Sequence, residues 1–280
     1  GRLCRLTLTR APWQPARRTR HQPMFVSSAS ATDTGLRRSI NEDSLSACDD
    51  LGFFLVADGL GGHAAGEVAS RTAVEGLVKF IEATRAGPSE DTWPVPFDPQ
   101  QSVNANRLRA GFQMGNRLIA RQIASSSELR GMSTTAVAVL LDAHSTTGTL
   151  AHVGDSRAYL LHQGRLERLT RDHSWVEEQI HLGTLTESAA LQHPWRNVVT
   201  RAMSGTEDLE VDVKEVSLEP GNRLLLCSDG LSSVLSDEEI GDRLRREIDL
   251  DDACRSLIQG ANDGGGPDNV TVIVLDFHAR

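Results

Sequence analysis

Four aspartates stand where apolar runs meet tight turns. Asp58 closes "FFLVAD" and is followed by three glycines and a histidine before a helix-like stretch; Asp155 sits inside "HVGDSRAYL"; Asp229 ends "LLLCSD"; Asp268 opens "DNVTVIVLD". Any one of them is an ordinary turn residue, because Asp and Gly both tolerate turn backbone. Together they could converge, since the strands of one sheet or sandwich bring their ends to the same place. Converged carboxylates repel by about 4 kcal/mol per pair at ~4 Å in an effective dielectric of ~20. Such a cluster must hold protons or cations. All-oxygen ligands favour hard cations (magnesium, manganese or calcium) over zinc. The nine histidines show no HxxxH or HxH spacing, which also argues against a zinc site read from sequence.

Two phosphate-binding readings of the glycines fail. Gly59-x-Gly61-x-x-Ala64 formally matches a dinucleotide fingerprint, but Asp58 would sit beside the pyrophosphate. The acid expected about 20 residues later should end a second strand, whereas Glu75 and Glu82 fall in a helical stretch. No GK[ST] follows, so there is no P-loop. The segment "TDTGLRRSINEDSL" adds Arg38 shortly before Glu42 and Asp43. An arginine fork beside a carboxylate-held cation suits a phosphate ester, whose oxygens it can pair bidentately.

The elements that must position these residues are legible as pattern. Runs at 25–31, 44–48, 51–57, 134–142, 148–154, 157–163, 211–217, 222–228 and 270–276 read as strands, β-branched or leucine-rich and bounded by Gly, Asp or Asn. Apolar spacing near 3.6 predicts helices over 64–83 and 102–124, with further helices at 173–182, 186–192, 237–247 and 251–262. Ser236, with Glu239 three residues on, predicts a capping box. The Pro-rich stretch 86–101 reads as a surface loop. Strands in runs with helices grouped between them point to α+β rather than to βαβ alternation.

Composition narrows the class. Hydrophobic residues at 39% and charged residues at 24% are ordinary for a globular chain. Residues 1–24 hold six arginines and no acid, so the whole-chain charge of −9 leaves −15 on the rest. A body that acidic excludes nucleic acid as the main ligand and suits one that binds cations. Residues 1–24 read as a disordered basic extension, or as sequence upstream of a start at Met24, and residues 25–280 as one domain. Four scattered cysteines without a CxxC pair fit reduced thiols of a cytoplasmic protein. No apolar run is long enough to predict a membrane span.

Taken together, the motifs resemble the metal-dependent Ser/Thr protein phosphatases of type 2C, in their short bacterial branch. The resemblance is carried by "RSINEDS" (38–44), "VADGLGGHAAGEVAS" (56–70), "GMSTTAVAVLL" (131–141), "HVGDSRAYLL" (152–161), "RDHSWVEEQIHLG" (171–183), "LLCSDGL" (225–231) and "GGGPDNVTVIV" (264–274). They stand in the family's order and span about Ser27 to Phe277. The resemblance implies a sandwich of two mainly antiparallel sheets flanked by helices on both faces, with two or three divalent cations, manganese or magnesium, at one edge. Asp58 matches the bridging carboxylate, the Gly59 carbonyl a further ligand, and Asp229 and Asp268 ligands of a second cation. Glu42 and Asp43 match an acidic pair near cation-held waters. Asp155 matches an acid that, with Asp229, holds a third cation, and Arg38 matches the phosphate-binding arginine.

The activity implied is hydrolysis of phosphoserine and phosphothreonine in proteins by an activated water, opposing a Ser/Thr kinase of bacterial type, in a monomer that binds neither membrane nor nucleic acid. Leu60 stands where many eukaryotic members carry a histidine, which leaves leaving-group protonation unassigned; His63 reads as structural, at the start of the helix. Ser133 replaces a usual glycine. Residues 171–205 correspond to a mobile flap, the place expected to set selectivity. Its histidines His173, His181 and His193 read as capping or packing residues, and Asp172 and Ser174 as helix caps. A phosphoprotein-binding scaffold without catalysis is the competing reading; the presence of Asp58, Asp229 and Asp268 speaks against it.

Overall fold

Period-2 alternation decides the layers. In a computed structural model of the protein, residues 24–61, 64–85, 93–142 and 146–279 are described. One sheet runs in the order β1 (Met24–Asp33), β11 (Val270–Ala279), β10 (Arg223–Cys227), β7 (Arg157–His162), β8 (Arg165–Arg168). The second runs β2 (Asp43–Cys48), β3 (Phe53–Leu60), β5 (Ala136–Leu141), β6 (Thr147–Val153), β9 (Asp212–Ser217), with the short β4 (Ser133–Thr134) pairing the end of β3. Every pairing is antiparallel.

Along β3, Phe54 and Val56 face the other sheet, where they meet Leu224, Leu226, Ile273 and Leu275 in an inner core. Phe53, Leu55 and Ala57 point the opposite way, onto α1 (Ala64–Thr84) and α2 (Val103–Ser125). Tyr159, Leu225, Val272 and Val274 likewise leave the first sheet outward, onto α6 (Asp237–Arg246) and α7 (Leu250–Asp263). Strands apolar on both faces therefore generate three cores and four layers, helix–sheet–sheet–helix. This is the α+β sandwich expected. Gly76 and Gly115 let α1 and α2 approach closely, since a Cβ on Gly76 would lie 3.1 Å from the Gly115 Cα.

Several boundaries differ for local reasons. The strand expected from 51 begins at Phe53, because Asp49–Leu51 close a 3₁₀ turn that ends on left-handed Gly52. β1 and β11 both run past their expected ends, since they pair with each other along ten residues. The capping box forms, with Ser236 Oγ accepting from Glu239 N–H and Glu239 accepting from Ser236 N–H. Of the predicted loop 86–101, residues 86–92 lie outside the described residues, as do 1–23 and His63. No described helix is long and apolar enough to cross a membrane.

Between β8 and β9 lie α3 (Trp175–His181) and α4 (Glu187–Ala190), in the segment expected as the flap. It is tied down at its root: His173 N–H donates to Gly154 O at 2.9 Å, and Met203 N–H to Thr134 O at 2.8 Å.

Candidate metal centre

The antiparallel registers carry the acids to one end of the sandwich. Asp43, the first residue of β2, lies directly opposite Asp58 near the end of β3. Cys227, the last residue of β10, pairs with Val272 and with Arg157. Asp229, Asp268 and Asp155 are therefore gathered at that same end from the other sheet. Asp229 opens the short α5 (Asp229–Ser232), and Asp155 follows Gly154, whose φ of 103° makes the tight turn.

Polar side chains clamp the two sheets together here. Ser228 Oγ donates to Asp43 Oδ2 at 2.8 Å and accepts from Thr271 N–H at 3.0 Å. Asn269 Oδ1 accepts from Glu42 N–H at 2.8 Å, while its Nδ2 donates to the Thr34 and Ile40 carbonyls. Thr134 Oγ1 and Thr135 N–H both donate to the Asp58 carbonyl, fixing the strand end that carries the acid.

The carboxyls hold their protons far above the usual range. Burial, then repulsion from Asp43, Asp229 and Asp155, pushes Asp58 well up. Burial raises Asp43 to about 7 against the opposing bonds from Thr271 and Ser228. Burial and the Asp229 charge raise Asp155 to about 8. Asp229 is raised by burial and by the charge of Asp268. Burial is the larger cause at each, and like charge adds to it at close range.

The chain's own atoms fit divalent cations. Asp43 Oδ1 is buried without a hydrogen-bond partner, a lone pair held for something positive. Gly59 brings bare backbone into the same place: a Cβ on it would lie 2.2 Å from the Gly66 carbonyl and 2.6 Å from the Glu42 carbonyl. The buried Glu42 carboxylate lies against Gly66 in the first turn of α1, where the helix dipole favours negative charge. Arg38 is exposed and donates to Asp268 Oδ2 at 2.7 Å. That bond, against the opposing pull of burial, raises its guanidinium further.

The expected site residues thus divide. Asp43, Asp58, Asp155 and Asp229 form one cluster whose charges act on one another, Asp268 joins it through Arg38 and Asp229, and Glu42 lies beside Gly59 and Gly66. Sequence reasoning missed the Ser228 and Asn269 clamps, whose one signal was adjacency to Asp229 and Asp268. Ser174 caps α3 as expected, accepting from Glu177 N–H. Asp172 does not: its carboxylate takes a forked pair of bonds from the half-buried Arg157. His193 stacks on Trp175, a packing role.

His173 meets His152 and Asp212 in a trio whose ligand atoms lie within 4.8 Å of one another, a grouping no sequence spacing announced. Gly154 N–H donates to His173 Nδ1, which puts the neutral ring's proton on Nε2, facing Asp212 at 3.3 Å. Arg201 already supplies a cation there, 2.9 Å from Asp212.

Comparison with known proteins agrees with this geometry. The family model described as Protein phosphatase 2C matches residues 36–265. The serine/threonine protein phosphatase PstP of Mycobacterium tuberculosis is 39% identical over 248 residues, covering 89% of this chain. This chain spans only 44% of that protein. The serine/threonine phosphatase stp of Listeria welshimeri is 36% identical over 251 residues, 88% of this chain and 93% of that one. Among solved structures, the catalytic domain of PstP in complex with two manganese ions aligns with a TM-score of 0.77 at 35% identity, over 91% of this chain and 99% of that one. The chain belongs to the protein phosphatase 2C family.

Proposed function

We propose that residues 25–280 form a protein-serine/threonine phosphatase domain that hydrolyses phosphoserine and phosphothreonine with two or three divalent cations, manganese or magnesium, and opposes a Ser/Thr kinase. The observation that carries the reading is the convergence of Asp43, Asp58, Asp155 and Asp229 from both sheets, each holding its proton at a pH where a lone carboxyl has lost it. A named relative solved with two manganese ions supports the choice of cation.

Asp58 stands centrally and is assigned the bridging position. Asp229 and Asp268 hold the cation on the first sheet's side, and Asp155 with Asp229 a third. Glu42 and Asp43 orient water, and Gly59 offers its carbonyl. When bound, the cations supply Lewis acidity and a lowered water pKa.

The chain's own groups do the rest. Arg38, released from Asp268, pairs with the non-bridging phosphate oxygens and stabilises the charge that develops on them. Covalent catalysis by the buried thiols is excluded on physical grounds. Burial pushes Cys227 up to about 12 and Cys254 to about 11, so neither is a thiolate at neutral pH. The flap at 171–205 overlies a cavity of about 620 Å³ that reaches Asp155 and Asp229. It is assigned the selection of flanking peptide.

The test is phosphate release from a phosphothreonine peptide with manganese, magnesium or chelator, for wild type and Asp229→Asn. Cation-dependent release lost in the variant is the expected result; a folded protein that releases none with any cation would refute the reading.

A further inference from the structure

We propose that the free edge of β9 is a docking site for an extended acidic segment of a partner protein, which adds to the second sheet as a further strand. Among the described residues β9 is the last strand of that sheet, with β6 on one side and no strand on the other. Leu218 N–H donates to Thr146 O at 2.7 Å, which fixes the phase of the β6–β9 ladder. By alternation, Val216, Lys214 and Asp212 bond to β6, and the N–H and C=O of Val213 and Glu215 turn outward.

A cavity of about 440 Å³ follows this edge, lined by the consecutive residues Val211, Asp212, Val213 and Lys214. Successive side chains of a strand leave by opposite faces, so four in a row can line one cavity only where it runs along their shared backbone edge. Its walls come from different layers, Arg109 of α2 on one side and Leu169 with Arg171 on the other.

The charge of this groove is opposite to that of the chain. The whole chain carries −9, yet among the described residues Arg109 and Lys214 have no acidic partner. Arg171 reaches Glu177 only at 3.8 Å, and Arg168 holds that carboxylate more closely. The lining's one acid, Asp212, is neutralised by Arg201 at 2.9 Å.

A lysine on an edge strand is also the usual guard against unwanted pairing. Here the guard selects. Three cations repel a basic strand, and a second copy of this chain would bring the same three. An acidic strand meets them on both walls while its backbone completes the ladder. The groove adjoins the flap, since His152 Nε2 bonds the Arg171 carbonyl at 2.8 Å.

The test uses the full chain and fluorescently labelled, phosphate-free short peptides: one alternating glutamate and threonine, one with a central threonine replaced by proline, and one with lysine for glutamate. The first should bind, more weakly as salt rises, and the other two should not. Arg109→Glu should weaken binding about tenfold while leaving hydrolysis of a small aryl phosphate unchanged. Val213→Pro should abolish binding, because it removes an outward donor and no bond to β6. In the wild type, amide exchange at Val213 and Glu215 should slow when the peptide is present, a readout that stands if the proline variant fails to fold. The proposal is overturned if the acidic peptide does not bind, or if the proline-broken peptide binds equally well. It is also overturned if those amides are unprotected, or if the edge is occupied by a second copy, seen as a dimer that excludes the peptide.

Discussion

Without cations, the acid cluster should make the protein less stable as the solution becomes more alkaline. Asp43 and Asp155 titrate near 7 and 8 when folded, against an ordinary 3.8. The folded state therefore binds protons that the unfolded chain has released. The stability these groups contribute is whole below pH 3.8 and is lost as pH rises through 7 and 8. His152 and His173 act in the opposite sense, but lower down: both are lowered from 6.5, so their contribution is lost as pH falls below that value. The window from about pH 7 to 8.5 isolates the carboxyls. Integrating proton occupancy across it gives a loss on the order of 1 to 2 kcal/mol, most of it from Asp155. Asp58 and Asp229, also raised, add to this.

For a domain of this size the loss corresponds to a Tm lower by roughly 5 °C. Thermal unfolding in chelator across that window should show the fall, and saturating manganese should remove it, because the ligands are then ionised in both limits. Calorimetry in two buffers of different ionisation enthalpy should report protons released as manganese binds near pH 7. Asp155→Asn should flatten the slope in chelator. A Tm that is level or rises with pH in chelator, or manganese binding without proton release, would refute the reasoning.

Three further outcomes are expected. Gly59→Ala should lower stability by about 3 kcal/mol or more and weaken manganese binding by calorimetry; the cause is steric, since the new Cβ meets the Gly66 and Glu42 carbonyls. Arg38→Lys should raise KM for a phosphopeptide roughly tenfold, because a point charge replaces a fork, while the manganese affinity of the resting protein changes little. His173 is lowered to about 4 by burial, His152 and Arg201. The His173 share of the stability should accordingly fall by about 3 kcal/mol as pH falls from 6.5 to 4, against the opposite gain from the carboxyls, so denaturant titrations should show the gap between wild type and His173→Gln narrowing by that amount.

Much of this was legible in sequence because the signals are local. The β3 run alternates between two cores, so every residue from Phe53 to Ala57 is apolar, and the apolar run stops where Asp58 must stay polar. Gly59 was marked only through the family resemblance, and its packing gives the physical reason, because no side chain fits there. β8, "RLER", and α5, "DGLS", were not foreseen, since elements this short are held by neighbours rather than by their own periodicity. The Asp172 carboxylate was expected on a helix end and is found on Arg157, a partner brought near by the β7–β8 hairpin. The His152–His173–Asp212 trio was invisible for a similar reason. The β6–β9 register sets His152 opposite Asp212, and the flap root returns His173 to the Gly154 turn.

The way each acid is satisfied explains how the fold can build a site that opposes its own stability. Asp43 leans on Ser228, burial and mutual repulsion raise Asp58 and Asp229 toward their neutral forms, and Asp268 is covered by Arg38. Each substitute comes from the same end of the sandwich and satisfies a carboxyl, by charge or by a hydrogen bond, without filling the space between them. The cluster is thereby assembled before any cation arrives, with its cost spread over protons, one hydroxyl and one arginine. On the proposed assignment, a cation that enters would displace the protons and the arginine together. Release of Arg38 and occupation of the site would then be a single event, and the group proposed to grip phosphate would become free only where the acids beside it have been neutralised. That ordering is a consequence of charge alone. It requires no moving element beyond an exposed arginine side chain.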